Sequence, residues 1–436
     1  MNWQEKYKDR IVSTDEAVVR SLQPGARVVF GHAAAAPQHF AEAMFRNRES
    51  LRDITVFHML YFGKAWHLMP EMEGHVRGFL NFLEGNSRSA YRDRRVDFVP
   101  CHFHEVPELF SQGFYPVDVA VVQVSEPDAE GRCSFGVSAD YTKPAAMAAK
   151  VVVAEINPQM PYIGGDNLIS LEEIDYMIPI DQPVVEVINP PVGEIEMQIG
   201  KHCAELIQDG ATLQLGIGGI PDAVLSSLDG KKDIGIHTEM FTDGVMHAIR
   251  SGLINGKAKT LHPGKVVTSI IMGSEELYRF VDHNDMIECY PVNYVNNPYV
   301  IAKNDRLVSI NSCIEMDLTG QAASESIGYE QFSGTGGQVD FLRGARYSKG
   351  GISIMAFPST AKAGEQSRIV PILKEGATVT SGRMEIDYVA TEYGAVRLRG
   401  RSLRERAELL ISIAHPKFRP WLEEEYRKRF CKSVNK

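Results

Sequence analysis

Two nine-residue stretches share one pattern: Gln23-Pro-Gly-Ala-Arg-Val-Val-Phe-Gly31 and Gln208-Asp-Gly-Ala-Thr-Leu-Gln-Leu-Gly216. Each follows a helical pattern, supplies a short apolar strand, and ends on a glycine succeeded by small residues and a proline, Pro37 or Pro221. A helix and a second strand come next in both copies. Those strands are Ile54-Thr-Val-Phe-His-Met59 and Ile234-Gly-Ile-His-Thr238, which sets His58 opposite His237. One order of elements recurring at a spacing of about 180 residues signals a duplicated domain rather than a solenoid. Strands that alternate with helices build a parallel sheet covered by helices. The expected fold is therefore α/β, as two similar domains related by internal duplication.

The second copy carries the more reactive residues. Ala211 to Leu215 reads as a strand, and Gly216-Ile-Gly-Gly-Ile-Pro221 as a turn whose glycines let the backbone approach a ligand. Pro221 and Asp222 suit the first turn of a helix, which Asp229-Gly230 stops. Glu239 follows the next strand at its C-terminal tip, and Met240 to Gly244 reads as a turn away from it. Ligands of open α/β sheets bind at the C-terminal ends of the strands. At the matching place the first copy has Met59-Leu60 where the second has Glu239-Met240. Spacing alone leaves two readings of Glu239, a solvated strand-end acid and a reactive carboxylate held by one copy only.

Elsewhere Val117 to Val124, Val151 to Ile156, Val266 to Ile271, Leu307 to Ile310, Ile352 to Phe357, Thr378 to Thr380 and Tyr388 to Thr391 read as strands. Helices are expected over 14–22, 38–47, 194–209 and 402–413. Ser333-Gly-Thr-Gly-Gly-Gln338 is a second glycine-rich loop. Asn189-Pro-Pro191 is the best linker, giving domains at 1–190 and 191–436. With 436 residues, 44% of them hydrophobic, the chain can bury two cores without metals or disulfides. Its net charge of -10 argues against nucleic acid or an anionic membrane as principal partner. The six cysteines form no CxxC pair and read as thiols of a reducing compartment. The start, Met1 to Arg10, lacks the apolar core of a signal peptide, and no apolar run reaches the ~18 residues of a membrane span. A cytoplasmic protein is the expectation.

Several chemistries lack their parts. Gly216-Ile-Gly-Gly219 is short of a GxGxxG dinucleotide fingerprint, and no GxSxG elbow or GK[ST] loop is present. His102 and His104, alternating on an expected strand beside Glu105, have no further ligand pair at metal spacing. A carboxylate facing glycine-rich turns remains.

Gln214-Leu-Gly-Ile-Gly-Gly-Ile-Pro-Asp222, His237-Thr-Glu-Met-Phe-Thr-Asp-Gly244, Gln331-Phe-Ser-Gly-Thr-Gly-Gly-Gln-Val-Asp-Phe341 and Thr391-Glu-Tyr-Gly394 together resemble the class I coenzyme A transferases. Within them the chain is similar to the 4-hydroxybutyrate or butyryl-CoA:acetate CoA-transferase group, related to acetyl-CoA hydrolases, from Trp3 to Phe430. The resemblance implies the class I CoA-transferase (NagB/RpiA/CoA transferase-like) architecture. It implies that Glu239 is the nucleophile and passes through a glutamyl-CoA thioester. It implies CoA contacts at Gln214, Leu215, Gly216, Ile217, Gly218, Ile314 and Gly337, with Lys362 either near the CoA phosphates or simply solvated. It further implies CoA as substrate rather than as a resident cofactor, no metal, short-chain carboxylic acids as partners, and a homodimer or higher homo-oligomer. His32 to Pro37 and His58 to Phe62 are candidates for shaping the acid pocket. A hydrolase, or a non-catalytic protein of the same fold that binds CoA or a sugar phosphate, are the alternatives.

Overall fold

A computed structural model describes residues 3–431; Met1, Asn2 and residues 432–436 lie outside it. The chain forms two compact units. Of the described residues, the first holds those up to 188 with 239–243 and 265–295, and the second 189–238, 244–264 and those from 296 on.

In the first unit β1 (Arg27–Phe30), β2 (Ile54–His58), β3 (Val76–Leu80), β4 (Val96–Phe98), β5 (Val119–Val124), β6 (Val151–Ile156) and β7 (Tyr176–Pro179) make one seven-stranded sheet. Its order is β7-β6-β5-β1-β2-β3-β4 and every pair is parallel. All of β5 is buried, as a strand covered on both faces requires. Successive side chains point to opposite faces. Val28, Phe30, Val119 and Val121 therefore enter one apolar cluster, and Val29, Ala120, Val122 and Val124 enter another. Burying each such valine contributes roughly 1.5–3 kcal/mol. The first cluster is covered by α1 (Thr14–Ser21), started by a Ser13–Glu16 capping box, and by α2 (Gln38–Arg46). The second recruits residues from much further along the chain: Met240, Ile270, Met272 and Val292 are buried in it. That shared burial explains why 239–243 and 265–295 belong to the first unit.

The second unit contains α3 (Glu194–Leu206), β8 (Thr212–Leu215), α4 (Gly219–Ser226), β9 (Gly235–Ile236), β10 (Leu307–Asn311), α5 (Gln338–Tyr347), β11 (Ile352–Ala356), β12 (Tyr388–Thr391), β13 (Gly394–Arg397) and α6 (Leu403–Ser412). Its sheet runs β9-β8-β10-β11-β12-β13, parallel except for the last pair.

Strand pairing carries the duplication further than the sequence did. The order β2-β1-β5-β6-β7 is matched by β9-β8-β10-β11-β12. Val28 pairs with Val119, which pairs with Val151, and Val153 pairs with Tyr176. Leu213 pairs with Val308, which pairs with Ile352, and Ile354 pairs with Tyr388. Five strands thus keep one register in both units. The same register corrects one expectation: Val28 pairs with Val56 and Leu213 with Ile236, so His237 corresponds to Phe57, His58 to Thr238, and Met59 to Glu239.

Other local readings change as well. Met240–Phe241 is a short strand rather than part of a turn, parallel to Ile270–Ile271. The run 266–271 splits into Val266–Thr268 and Ile270–Ile271, in different sheets, because Ser269 turns its amide to the Glu239 carbonyl. Phe103–Glu105 is a 3-10 turn that His102 precedes as its cap, so His102 and His104 do not alternate on a strand, and residues 378–380 form no strand.

Candidate active site

Both sheets reverse direction beside the first strand of their repeat. In the second unit β9 lies on one side of β8 and β10, β11 and β12 on the other. The crevice outside the C-terminal ends at such a switch point is where open α/β sheets bind ligands. A cavity of about 220 Å³ lies there. Gly216, Ile217, Gly219, Ile220 and Pro221 line it from the β8–α4 turn, Ile310, Asn311 and Ser312 from the end of β10, Ala356 and Pro358 from the end of β11, and Glu196 from α3.

The turn is open because it is built from glycine. Gly218 has φ +100° and ψ −172°, a conformation essentially restricted to glycine, and it caps α4 without a side chain. A Cβ on either Gly216 or Gly218 would meet no atom within 4 Å, so the backbone borders free space. The first amides of α4 have no carbonyl partner within the helix and present partial positive charge, which suits an anionic or carbonyl oxygen. Beneath the turn, Gln214 and Asn311 exchange amide hydrogen bonds of 3.3 and 3.0 Å between β8 and β10. Thr238 replaces the ladder where β9 has ended: its Oγ1 accepts from the Leu215 amide at 3.2 Å and donates to the Leu215 carbonyl at 3.0 Å.

Of the residues expected to contact CoA, Gly216 and Ile217 line the cavity, Gly218 caps the helix beside it, and Gln214 and Leu215 form the strand below. Ile217 is 47% exposed, an uncovered apolar side chain at the mouth. Ile314 and Gly337 are not among the lining residues. The Ile314 amide donates to Ala323 at 2.8 Å, and its carbonyl accepts from Arg368 Nε at 2.9 Å. Gly337 caps α5, where Gln338 donates to Ser324 Oγ and Ser381 Oγ at 2.9 and 2.8 Å. Lys362 is exposed in a hairpin turn with φ +49°. Asn311, Ser312, Ala356, Pro358 and Glu196 were missed by sequence reading. For all but Glu196, which lies on α3, the signal is topological, since only the strand order identifies those strand ends as neighbours.

Glu239 belongs to the first unit and is half-buried. Its carbonyl accepts from the amides of Ser269 and Ile270 at 3.1 and 2.9 Å, and from Thr268 Oγ1 at 3.1 Å. Three donors on one carbonyl, followed by the Met240–Phe241 ladder, fix its backbone. Asp243 holds the far end of that segment by accepting from the Ser274 amide at 3.1 Å and from the Ser274 hydroxyl.

The candidate acid-pocket histidines of the first unit are internal. His32 is 1% exposed, with Nδ1 3.1 Å from Asp140 Oδ2. His58 lies 3.1 Å from the Met59 carbonyl through Nδ1 and 2.8 Å from His67 Nε2 through its own Nε2. Burial pushes His58 down to about 3, and burial followed by proximity to His58 lowers His67. The pair is neutral, His58 donating to the carbonyl and accepting from His67.

Residues 1–189 match the acetyl-CoA hydrolase/transferase N-terminal domain and residues 273–426 its C-terminal domain. The chain is 52% identical to a 4-hydroxybutyrate coenzyme A transferase of Clostridium kluyveri, over 99% of this chain and 100% of the relative. It is 42% identical to a succinyl-CoA:cyclohexane-1-carboxylate CoA transferase of Geobacter metallireducens, over 98% of this chain and 97% of that one. The crystal structure of a 4-hydroxybutyrate CoA-transferase from Porphyromonas gingivalis superposes with a TM-score of 0.87 at 63% identity, covering 98% of this chain and 100% of that one. Two α/β units, an open glycine turn at the second unit's switch point and these similarities converge: the chain belongs to the acetyl-CoA hydrolase/transferase family and is a CoA transferase.

Proposed function

We propose that the protein moves CoA between a short-chain acyl-CoA, 4-hydroxybutyryl-CoA or butyryl-CoA, and a carboxylate such as acetate. The observation that carries this reading is the open cavity at the β8–α4 turn, where a glycine backbone faces free space. Gln214, Leu215, Gly216, Ile217, Gly218, Ile314 and Gly337 bind CoA in this reading, and Glu239 is the nucleophile. A Glu239 oxygen adds to the thioester carbonyl; the C–S bond breaks, leaving a glutamyl anhydride and CoA thiolate. The thiolate then adds to the glutamyl carbonyl, and the first acid departs as its carboxylate. The enzyme now holds a glutamyl-CoA thioester, which an incoming carboxylate resolves by the same two steps reversed. Thioester and anhydride are close enough in energy to interconvert without ATP, and covalent catalysis divides the exchange into easier steps. Each tetrahedral oxyanion needs donors, one of which is worth roughly 3 kcal/mol.

The same reading takes residues 1–190 and 191–436 as the N- and C-terminal domains, supported by the family limits at 1–189 and 273–426. It makes the chain a cytoplasmic homodimer or higher homo-oligomer with no permanent cofactor. The net charge of -10 argues against nucleic acid as a partner.

The test is trapping. Incubated with butyryl-CoA and then borohydride, the peptide containing Glu239 should gain the mass change of a reduced thioester. An unmodified peptide while labelled acetate is entering acetyl-CoA rules the nucleophile out. Equal consumption of acyl-CoA without any acceptor acid identifies a hydrolase instead.

A further inference from the structure

The two units share strand order and register, yet their switch points are finished differently. From the paired positions Val119 and Val308, Gln123 corresponds to Ser312; from Val151 and Ile352, Glu155 corresponds to Ala356 and Asn157 to Pro358. Ser312, Ala356 and Pro358 all line the second unit's cavity. Gln123, Glu155 and Asn157 are 2%, 0% and 0% exposed. Three small or compact residues around open space are thus replaced by three longer polar ones in a filled interior.

Glu155 reaches the start of α2. Its Oε1 accepts from the Phe40 amide at 2.7 Å, and the amides of His39 and Gln38 also favour its charged form. Oε2 is buried without a hydrogen-bond partner. Asn157 braces the same strand end by donating to Gln123 Oε1 at 3.0 Å. The turn has closed as well: a Cβ on Gly31 would meet the Ala35 carbonyl at 2.9 Å, whereas one on the equivalent Gly216 meets nothing. Burial dominates the carboxyl's titration and pushes it up to about 8, so near neutrality it sits mostly as the neutral acid.

We propose that Glu155 is an internal ligand: its carboxyl group occupies, at the first unit's switch point, the place that the second unit leaves open, and removing the side chain exposes a binding site for a small carboxylic acid at the start of α2. The duplicated fold then offers one vacant switch-point site per chain, not two. The oxygen that Phe40 needs is supplied by the protein itself, and a free acid of one or two carbons has the right acceptor and size to replace it.

The experiment uses the full chain. Glu155→Ala is purified and melted in sodium chloride and in sodium formate at matched ionic strength and pH, beside the unaltered protein and Glu155→Gln. The expected result is a saturable rise in the Ala variant's Tm with formate, on the order of a few degrees. The unaltered protein and Glu155→Gln, whose sites are full, should show no such rise. Equal melting of the Ala variant in both salts overturns the proposal. So does an equal formate shift in the unaltered protein, or an Ala variant that does not fold even when prepared in formate. The readout is stability, so these outcomes are independent of whether Glu239 carries acyl transfer.

Discussion

Replacing Gly218 and Gly216 separately by alanine distinguishes the conformation of the β8–α4 turn from the space beside it. Neither methyl would touch an atom within 4 Å, so clashes contribute nothing to either variant. Gly218 sits at φ +100°, ψ −172°, which an alanine adopts only at about 1–3 kcal/mol. Gly216 has no positive φ, so its alanine variant should stay within about 1 kcal/mol of the original stability. Its methyl instead projects beside the 220 Å³ cavity that Gly216 lines. Gly218→Ala should therefore lower the unfolding midpoint, or relax the turn and raise the KM for acyl-CoA by roughly tenfold to a hundredfold, since 1.4 kcal/mol is a factor of ten. Gly216→Ala should raise KM with the midpoint unchanged. Urea unfolding and labelled-acetate exchange measure the two quantities. If both variants lose the same stability, or Gly218→Ala loses neither stability nor affinity, the glycine requirement assigned to this turn is wrong.

Glu239→Ala should reduce CoA exchange by several orders of magnitude while calorimetry still detects CoA binding, and Glu239→Asp, with the carboxylate withdrawn by one methylene, should cost roughly a hundredfold in kcat. Gln214→Ala leaves Asn311 without its amide partner across β8 and β10, and should destabilise by about 1–3 kcal/mol in urea unfolding. Glu155 is protonated in the folded chain up to about pH 8 but ionises near 4.5 when unfolded, so the folded state holds the extra proton and stability falls as pH rises through that window. Glu155→Gln should flatten the decline of Tm between pH 5 and 9, and an unchanged slope would show that another group causes it. Titration calorimetry should find one CoA bound per chain.

The sequence carried the repeat, the strands Arg27–Phe30 and Val151–Ile156, and the glycine turn, because glycine, proline and buried β-branched runs report local conformation directly. It misplaced what depends on pairing. His58 was set opposite His237 by residue identity, whereas the ladder from Val28 to Val56 and from Leu213 to Ile236 moves the match by one. Val266 to Ile271 looked like one strand because every residue but Thr268 and Ser269 is aliphatic; the break at Ser269 follows from a carbonyl at Glu239, distant in sequence. In the candidate site, Gln214 to Gly218 were legible because the turn chemistry is local. Ser312, Ala356 and Pro358 were not, since a serine, an alanine and a proline announce nothing until the sheet order makes them neighbours.

The placement of 239–243 and 265–295 has a consequence for biosynthesis. A ribosome that has delivered residue 190 has made the whole seven-stranded sheet but not Met240, Ile270, Met272 or Val292, which complete the apolar cluster on one of its faces. Phe103, Phe110, Tyr141 and Ala145 are already there to cover part of that face, but the cluster stays incomplete until about a hundred further residues emerge, and domains generally fold as units. Fragments ending at the Asn189–Pro191 linker would leave permanently exposed the part of the cluster that Met240, Ile270, Met272 and Val292 bury. Such fragments should therefore aggregate, and the first unit should mature only in a nascent chain that has passed Val295.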